Sequence, residues 1–278
     1  MHAQFPQFDD LALTQVAEGF DNSLWRLGDE LVVRLPRRQM AVEPLENELR
    51  WLPTMASHVS LRTPLPLLAG APSDRYNWPW LIGTWIEGVA GDEADLGRAN
   101  SSAAPLATFV RELHTVAPSD APHNPYRSVS LFERTAAFEE RLHEVARSVD
   151  VSAARRLFER GATAPRWSGP ALWIHGDLHP GNTVYRDGEL VGVTDFGDLC
   201  AGDPSTDLAG ALLALPFASL GTFFATYGLS DEATLQRTIG WATYFGVFMV
   251  SLGLTSRPSY LSVGERALAN AALVANSF

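Results

Sequence analysis

The spacing of apolar positions changes near residue 88. Upstream, "LWRLGDELVVRL", residues 24–35, sets apolar against polar positions around Gly28 and Asp29, the pattern of two strands joined by a tight turn. "EPLENELRWLPTMA" follows, with Leu45, Leu49, Leu52 and Met55 on one helical face and Pro44 near the first turn. "LRTPLPLLAGAPSDRYNWPW" carries too many prolines for a central strand and predicts a connector with an edge strand. "LIGTWIEG" predicts one more strand, ending at Gly88.

Beyond residue 88 the helical period takes over. "AAPLATFVRELHTV" and "LFERTAAFEERLHEVARSV" place charges opposite an apolar face, and the chain from 206 to 278 reads as helical again. The uncharged stretch "IGWATYFGVFMVSLGLTS", residues 239–256, is long enough to span a bilayer. Its glycines Gly240, Gly246 and Gly253 favour a buried C-terminal helix and no membrane partner. The expectation is an α+β chain of two lobes: a small antiparallel-sheet lobe over 1–83, a hinge at 84–88, and a larger, mainly helical lobe over 89–278.

Composition narrows the functions. A formal charge of −11 with scattered arginines argues against nucleic-acid binding, which needs clustered cations, and favours a cationic small-molecule ligand. All 21 basic residues are arginine, so any task usually given to lysine falls to arginine. A single cysteine, Cys200, excludes an intramolecular disulfide and a cysteine-based zinc cluster. With an N-terminus, "MHAQFPQFDD", that lacks the features of a signal peptide, this predicts a cytoplasmic protein, monomer or homodimer.

The chemistry is concentrated at residues 173–198, "WIHGDLHPGNTVYRDGELVGVTDFGD". In "HGDLHPGN", Asp177 follows His175 by two positions and precedes Asn182 by five, the spacing of a kinase catalytic loop. Phosphoryl transfer to a hydroxyl needs a carboxylate to orient and finally accept its proton, for which Asp177 is the candidate. It also needs oxygen ligands for magnesium, for which Asn182 is the first. After a hairpin turned by Asp187 and Gly188 comes "VTDFGD", where Asp195 brings a second metal-binding carboxylate beside the first. The same histidines and aspartates allow a metal-dependent phosphoesterase, but that site needs further ligands and the other histidines are isolated.

"HGDLHPGN" with "TDFGD", extended by "AGDPSTDLA" and more loosely over nearly the whole chain, resembles the aminoglycoside phosphotransferase family. That family has a protein-kinase-like fold and includes macrolide phosphotransferases. The resemblance implies Asp177 as catalytic base, Asn182 and Asp195 as magnesium ligands, and ATP or GTP as donor. The acceptor would be a small molecule, cationic and antibiotic-like, or else a choline-, homoserine- or sugar-type metabolite.

In the small lobe, Arg34 of "ELVVRL" stands where related kinases carry lysine, with Glu48 as its candidate partner and Glu46 as the alternative. "EGFDNSLWRL" occupies the place of a phosphate loop, with Gly19, Asn22 and Ser23 suited to a tight turn although GxGxxG is absent. Thr84, Trp85 and Ile86 would offer main-chain groups to a purine. His179 reads as a structural hydrogen bond within its loop, Asp198 as a ligand or a helix cap, and Asp203 and Asp207 as capping and bracing carboxylates. The arginine in place of lysine and the poor phosphate loop also leave room for a nucleotide-binding module without catalysis.

Overall fold

The computed structural model describes residues 3–19, 21–94 and 101–277. Strands β2 (Asn22–Leu27) and β3 (Leu31–Pro36) form the hairpin expected from the alternation, paired from Asn22↔Pro36 to Leu27↔Leu31. A strand the pattern did not reveal, β1 (Leu13–Glu18), pairs antiparallel with β2; all its residues are exposed, so it carries no apolar alternation. Strands β4 (Pro66–Gly70) and β5 (Trp80–Thr84) complete a sheet of order β1-β2-β3-β5-β4 among the described residues. The proline-rich segment is therefore an edge, where a missing N–H does not break a ladder.

Helix α1 (Val42–Ala56) buries Leu45, Glu48, Leu52 and Met55. A carboxylate thus takes the place in the buried stripe that the apolar pattern assigned to Leu49, which is only partly covered. Past β5, the Trp85 N–H donates to the Glu30 carbonyl at 2.7 Å, tying the crossing segment to the β2–β3 turn.

In the larger part, β6 (Val89–Ala90) pairs with β8 (Thr183–Arg186), which forms a hairpin with β9 (Glu189–Val193) around Asp187 and Gly188. Strand β7 (Leu172–Ile174) pairs with β10 (Cys200–Gly202). Helix α2 (Ala103–Leu113) is followed by an irregular loop, a 3₁₀ turn over Leu131–Arg134 and α3 (Thr135–Glu144). A capping box between Ser130 and Glu133 starts that turn and shortens the helix expected over 131–149. Helix α4 (Val151–Thr163) was not anticipated; its signal is Asp150, whose side chain caps the Ala153 N–H.

Helices α5 (Ser205–Ala214), α6 (Phe217–Tyr227), α7 (Glu232–Thr255) and α8 (Ser259–Ser277) close the chain. Helix α7 has the length and composition of a membrane span, yet 72% of its apolar window is buried, packed against α3, α4, α5 and α8. It is the central core helix expected at 239–256. Where α4 crosses it, a Cβ on Gly161 would lie 2.7 Å from Gly240 Cα and 2.7 Å from the Gln236 carbonyl, so the two backbones meet through glycine.

Asp207, in the first turn of α5 and fully buried, fixes the loop after β7. Its Oδ2 accepts from the His175 N–H at 2.7 Å and its Oδ1 from the Gly176 N–H at 2.8 Å. His114 Nε2 sits 3.2 Å from Oδ2, and His114 Nδ1 reaches the Tyr227 hydroxyl at 2.9 Å. Gly176 holds φ +82°, and a Cβ there would come 2.7 Å from the Asp198 carbonyl, so glycine is required at this turn. Burial alone would raise the Asp207 pKa, but His114, His175 and the Gly176 N–H outweigh it and hold the group below its ordinary 3.8.

Gly161→Ala forces the α4–α7 crossing apart and lowers stability by about 1–3 kcal/mol despite alanine's better helix propensity; an unchanged Tm would show that the crossing yields freely. For Asp207, a depressed native pKa means a stabilisation that is complete above pH 3.8 and fades as pH falls through the native value. Asp207→Asn loses about 3 kcal/mol at neutral pH, since one amide cannot accept from both N–H groups. Urea unfolding as a function of pH should show the wild-type acid slope reduced in this variant.

Candidate active site

The loop held by Asp207 delivers Asp177. His175 donates from Nε2 to the Thr194 carbonyl at 3.0 Å and accepts the Asp177 N–H at Nδ1 at 3.2 Å, which sets its tautomer and fixes the loop to the end of β9. The Asp177 side chain is 33% exposed. Arg127 Nη2 donates to its Oδ1 at 2.9 Å, Asn182 Nδ2 donates to its Oδ2 at 3.2 Å, and His179 Nε2 lies 3.6 Å from Oδ2. Burial opposes the charge on Asp177, but His179, Arg127 and His175 outweigh it, so the carboxylate stays ionised with a pKa below the ordinary value.

Asn182 also donates from Nδ2 to the Asp177 main-chain carbonyl at 2.8 Å. Its donor is thereby committed to the loop and its amide oxygen is left to accept a ligand. His179 accepts the Gly181 N–H at Nδ1 at 3.1 Å, the internal hydrogen bond expected of it.

Asp195, two residues past β9, sits in the left-handed region, at φ +60°, ψ +70°, a conformation sparsely populated outside glycine. Half of its side chain is exposed, facing the cleft between the lobes. Across that cleft, Arg34 on β3 donates from Nη1 to Glu48 Oε2 and from Nη2 to Asp195 Oδ1 at 3.3 Å. Burial works against the guanidinium charge, but the two carboxylates outweigh it and push the Arg34 pKa up. Among the described residues Arg34 Nε and Glu48 Oε1 find no partner, the usual mark of a group whose environment is completed by a ligand or by solvent. The alternative Glu46 is exposed and takes no part.

One cavity of about 610 Å³ gathers these groups. Arg34, Asp177, Asn182 and Asp195 line it, together with Asn22, Thr84, Trp85 and Ile86. Glu48 stands behind Arg34. Ser23 does not line the cavity: strand alternation turns it to the opposite face from Asn22, where its hydroxyl accepts from Trp25 Nε1 at 2.9 Å. Gly19 and Asp21 line the cavity at the expected phosphate loop, of which Phe20 lies outside the described residues.

Asp198 lines it too, held by Arg127 Nε at 3.1 Å and Asn124 Nδ2 at 3.1 Å. Burial and the nearby Asp177 and Asp195 push its pKa up against the pull of Arg127. Asp203 and Asp207 stay outside the cavity as bracing groups; Asp203 accepts from Arg237 Nε at 2.6 Å and from the Ser205 N–H at 3.0 Å.

Arg127 is the site residue that sequence reasoning missed. It lies in the irregular loop between α2 and the 3₁₀ turn, where no periodicity marks it, and joins Asp177 to Asp198 while its guanidinium sits 5.1 Å from the Phe245 ring. The donor set of Asn182 and Asp195 fits magnesium, which takes hard oxygen ligands and retains water and phosphate oxygens for its other positions.

The profile of the phosphotransferase enzyme family matches residues 12–242. The homoserine kinase of Methylocella silvestris is 29% identical over 222 residues, spanning 76% of this chain and 67% of that protein. The homoserine kinase of Beijerinckia indica is also 29% identical, over 239 residues, spanning 79% and 69%. Among solved structures, the GDP complex of aminoglycoside 2'-phosphotransferase-IIIa superposes with a TM-score of 0.72 at 23% identity, covering 100% of this chain and 97% of that one. The macrolide 2'-phosphotransferase MphH of Brachybacterium faecium superposes with a TM-score of 0.63 at 20% identity, covering 96% and 95%. The chain belongs to the phosphotransferase enzyme family and has the two-lobed, protein-kinase-like fold.

Proposed function

We propose that this chain is a cytoplasmic, magnesium-dependent O-phosphotransferase that moves the γ-phosphoryl group of ATP or GTP to a hydroxyl of a small molecule. The observation that carries the reading is the convergence of Asp177, Asn182 and Asp195 on one cavity faced by Arg34 from the other lobe. The nucleotide would lie between the part spanning 1–83 and the part spanning 89–278. Its base would meet the crossing segment at Thr84, Trp85 and Ile86, and its phosphates would meet Asn22, Gly19 and Arg34. The related folds solved with GDP, ADP or ATP support a purine nucleotide as donor.

Magnesium held by Asn182 and Asp195 would screen the charge of the phosphates. Asp177, ionised and hydrogen-bonded on both oxygens, orients the acceptor hydroxyl. As the acceptor oxygen bonds to the γ-phosphorus, the bond to the leaving diphosphate oxygen breaks and the hydroxyl proton passes to Asp177, then to solvent. A carboxylate held below its ordinary pKa is a weak base, suited to taking that proton late, once the new bond has acidified the hydroxyl.

A phosphoesterase needs a larger donor cluster, and among the described residues no group of three or more histidine, cysteine, aspartate or glutamate side chains is placed to hold a metal. A module without catalysis is disfavoured by the way Arg34 is locked between Glu48 and Asp195 despite replacing lysine. The homoserine kinase relatives support a metabolic acceptor as the second reading beside an antibiotic.

Asp177→Asn should reduce acceptor-dependent ADP or GDP release by about a hundredfold or more while nucleotide affinity is kept. Retained turnover would remove the role given to Asp177. Asp195→Ala should raise the magnesium concentration needed for half-maximal rate, and an unchanged magnesium dependence would count against its place in the metal site.

A further inference from the structure

The wall of the cavity beside Asp177 is built by the end of α7, the connection to α8 and the start of α8: Phe248, Met249, Leu252, Ser256, Arg257 and Tyr260. The Tyr260 ring meets the His179 ring edge to face at 5.5 Å, and His179 reaches Asp177 at 3.6 Å, so this wall borders the catalytic carboxylate, away from the sheet that carries Arg34.

The charges around the cavity are nearly all committed. Of its carboxylates, Asp21 pairs with Arg38 at 2.5 Å, Asp177 and Asp198 share Arg127, and Asp195 faces Arg34. Of its arginines, Arg34 and Arg127 are held by those same groups. Arg257 alone among the described residues lines the cavity with a guanidinium that makes neither a salt bridge nor a hydrogen bond, and α7, α8 and their connection supply no carboxylate to the lining. A group placed against this wall would meet the uncompensated positive charge of Arg257. The negative average charge of the chain therefore does not describe this wall.

Resting on the phosphotransferase reading of the same cavity, we propose that the acceptor is an alcohol with an apolar body and a carboxylate, and that Arg257 receives that carboxylate. Phe248, Met249 and Leu252 supply the apolar surface, and a guanidinium fork is suited to binding a carboxylate through paired hydrogen bonds. The hydroxyl end then faces Asp177 and the anionic end is held away from the triphosphate, whose charge it would otherwise oppose.

The test uses the full chain with magnesium and nucleotide, reading both turnover and calorimetric binding. The probes are short and long ω-hydroxyalkanoates, each beside its own carboxamide, with kanamycin as the polycation. The acids should exceed their carboxamides in kcat/KM by about tenfold or more. Arg257→Gln should erase that preference by raising the KM for the acid while leaving the KM for nucleotide in place, and Arg257→Lys should restore part of it. Equal use of acid and amide, preference for kanamycin, hydroxy acids that neither bind nor react, or an Arg257→Gln effect on nucleotide KM would each overturn the inference. A wild-type protein that fails to bind magnesium nucleotide would instead overturn the phosphotransferase reading, and this inference with it.

Discussion

A guanidinium shared between the two lobes is the interaction on which the site depends. Arg34 on β3 is buried with Glu48 of α1 on one side and reaches Asp195 just past β9 on the other. Desolvating either charge alone costs several kcal/mol, so neither can be buried without its partner. That requirement places α1 over β3 with Glu48 inside its apolar stripe, and it orients the cation toward the carboxylate of Asp195. In a chain without lysine, the planar fork of arginine meets both carboxylates through separate nitrogens. A lysine would have to aim one nitrogen at both.

The opposite wall follows the same rule with different donors. Asp207 is fully buried because two main-chain N–H groups and His114 satisfy its oxygens, and the loop it holds carries Asp177 at its tip. Asn182 then closes that loop on itself through the Asp177 carbonyl. Catalytic geometry is thus fixed by buried polar groups whose partners are backbone atoms, which cannot change rotamer. Asp195, in a left-handed backbone conformation, is the strained member, and it lines the cavity.

This division explains what could be read from the sequence. That Asp177, Asn182 and Asp195 meet at one cavity was legible because one contiguous stretch of loop and hairpin supplies all three. Arg34 and Glu48 were legible as a pair because a strand and the next helix bring them together. Ser23 was placed at the phosphates by its position beside Asn22, although the two-residue period of β2 sets it with Trp25 on the other face. Arg127 and Arg257 were not legible, since each sits in an irregular connection where periodicity gives no direction to a side chain. Strand β1 escaped because an edge exposed over its whole length shows no alternation.

The average charge of the chain does not by itself describe the cavity, and the reason is distance. Charges on the outer surface are screened over roughly 8 Å at physiological ionic strength, whereas a ligand inside the cavity meets its lining directly. Within that lining Asp177 and Asp198 are held by Arg127 and Asp195 by Arg34, while Arg257 stands unpaired on the side of α7 and α8. In the proposed reading the groups that do the chemistry lie on the loop anchored by Asp207 and just past β9, while those that would meet an acceptor lie on α7, α8 and their connection. Substitutions on those helices can change the acceptor without disturbing the hydrogen bonds that hold Asp177. Architecture shared with phosphotransferases of other acceptors therefore fixes the reaction, and the wall that faces the hydroxyl fixes the molecule that undergoes it.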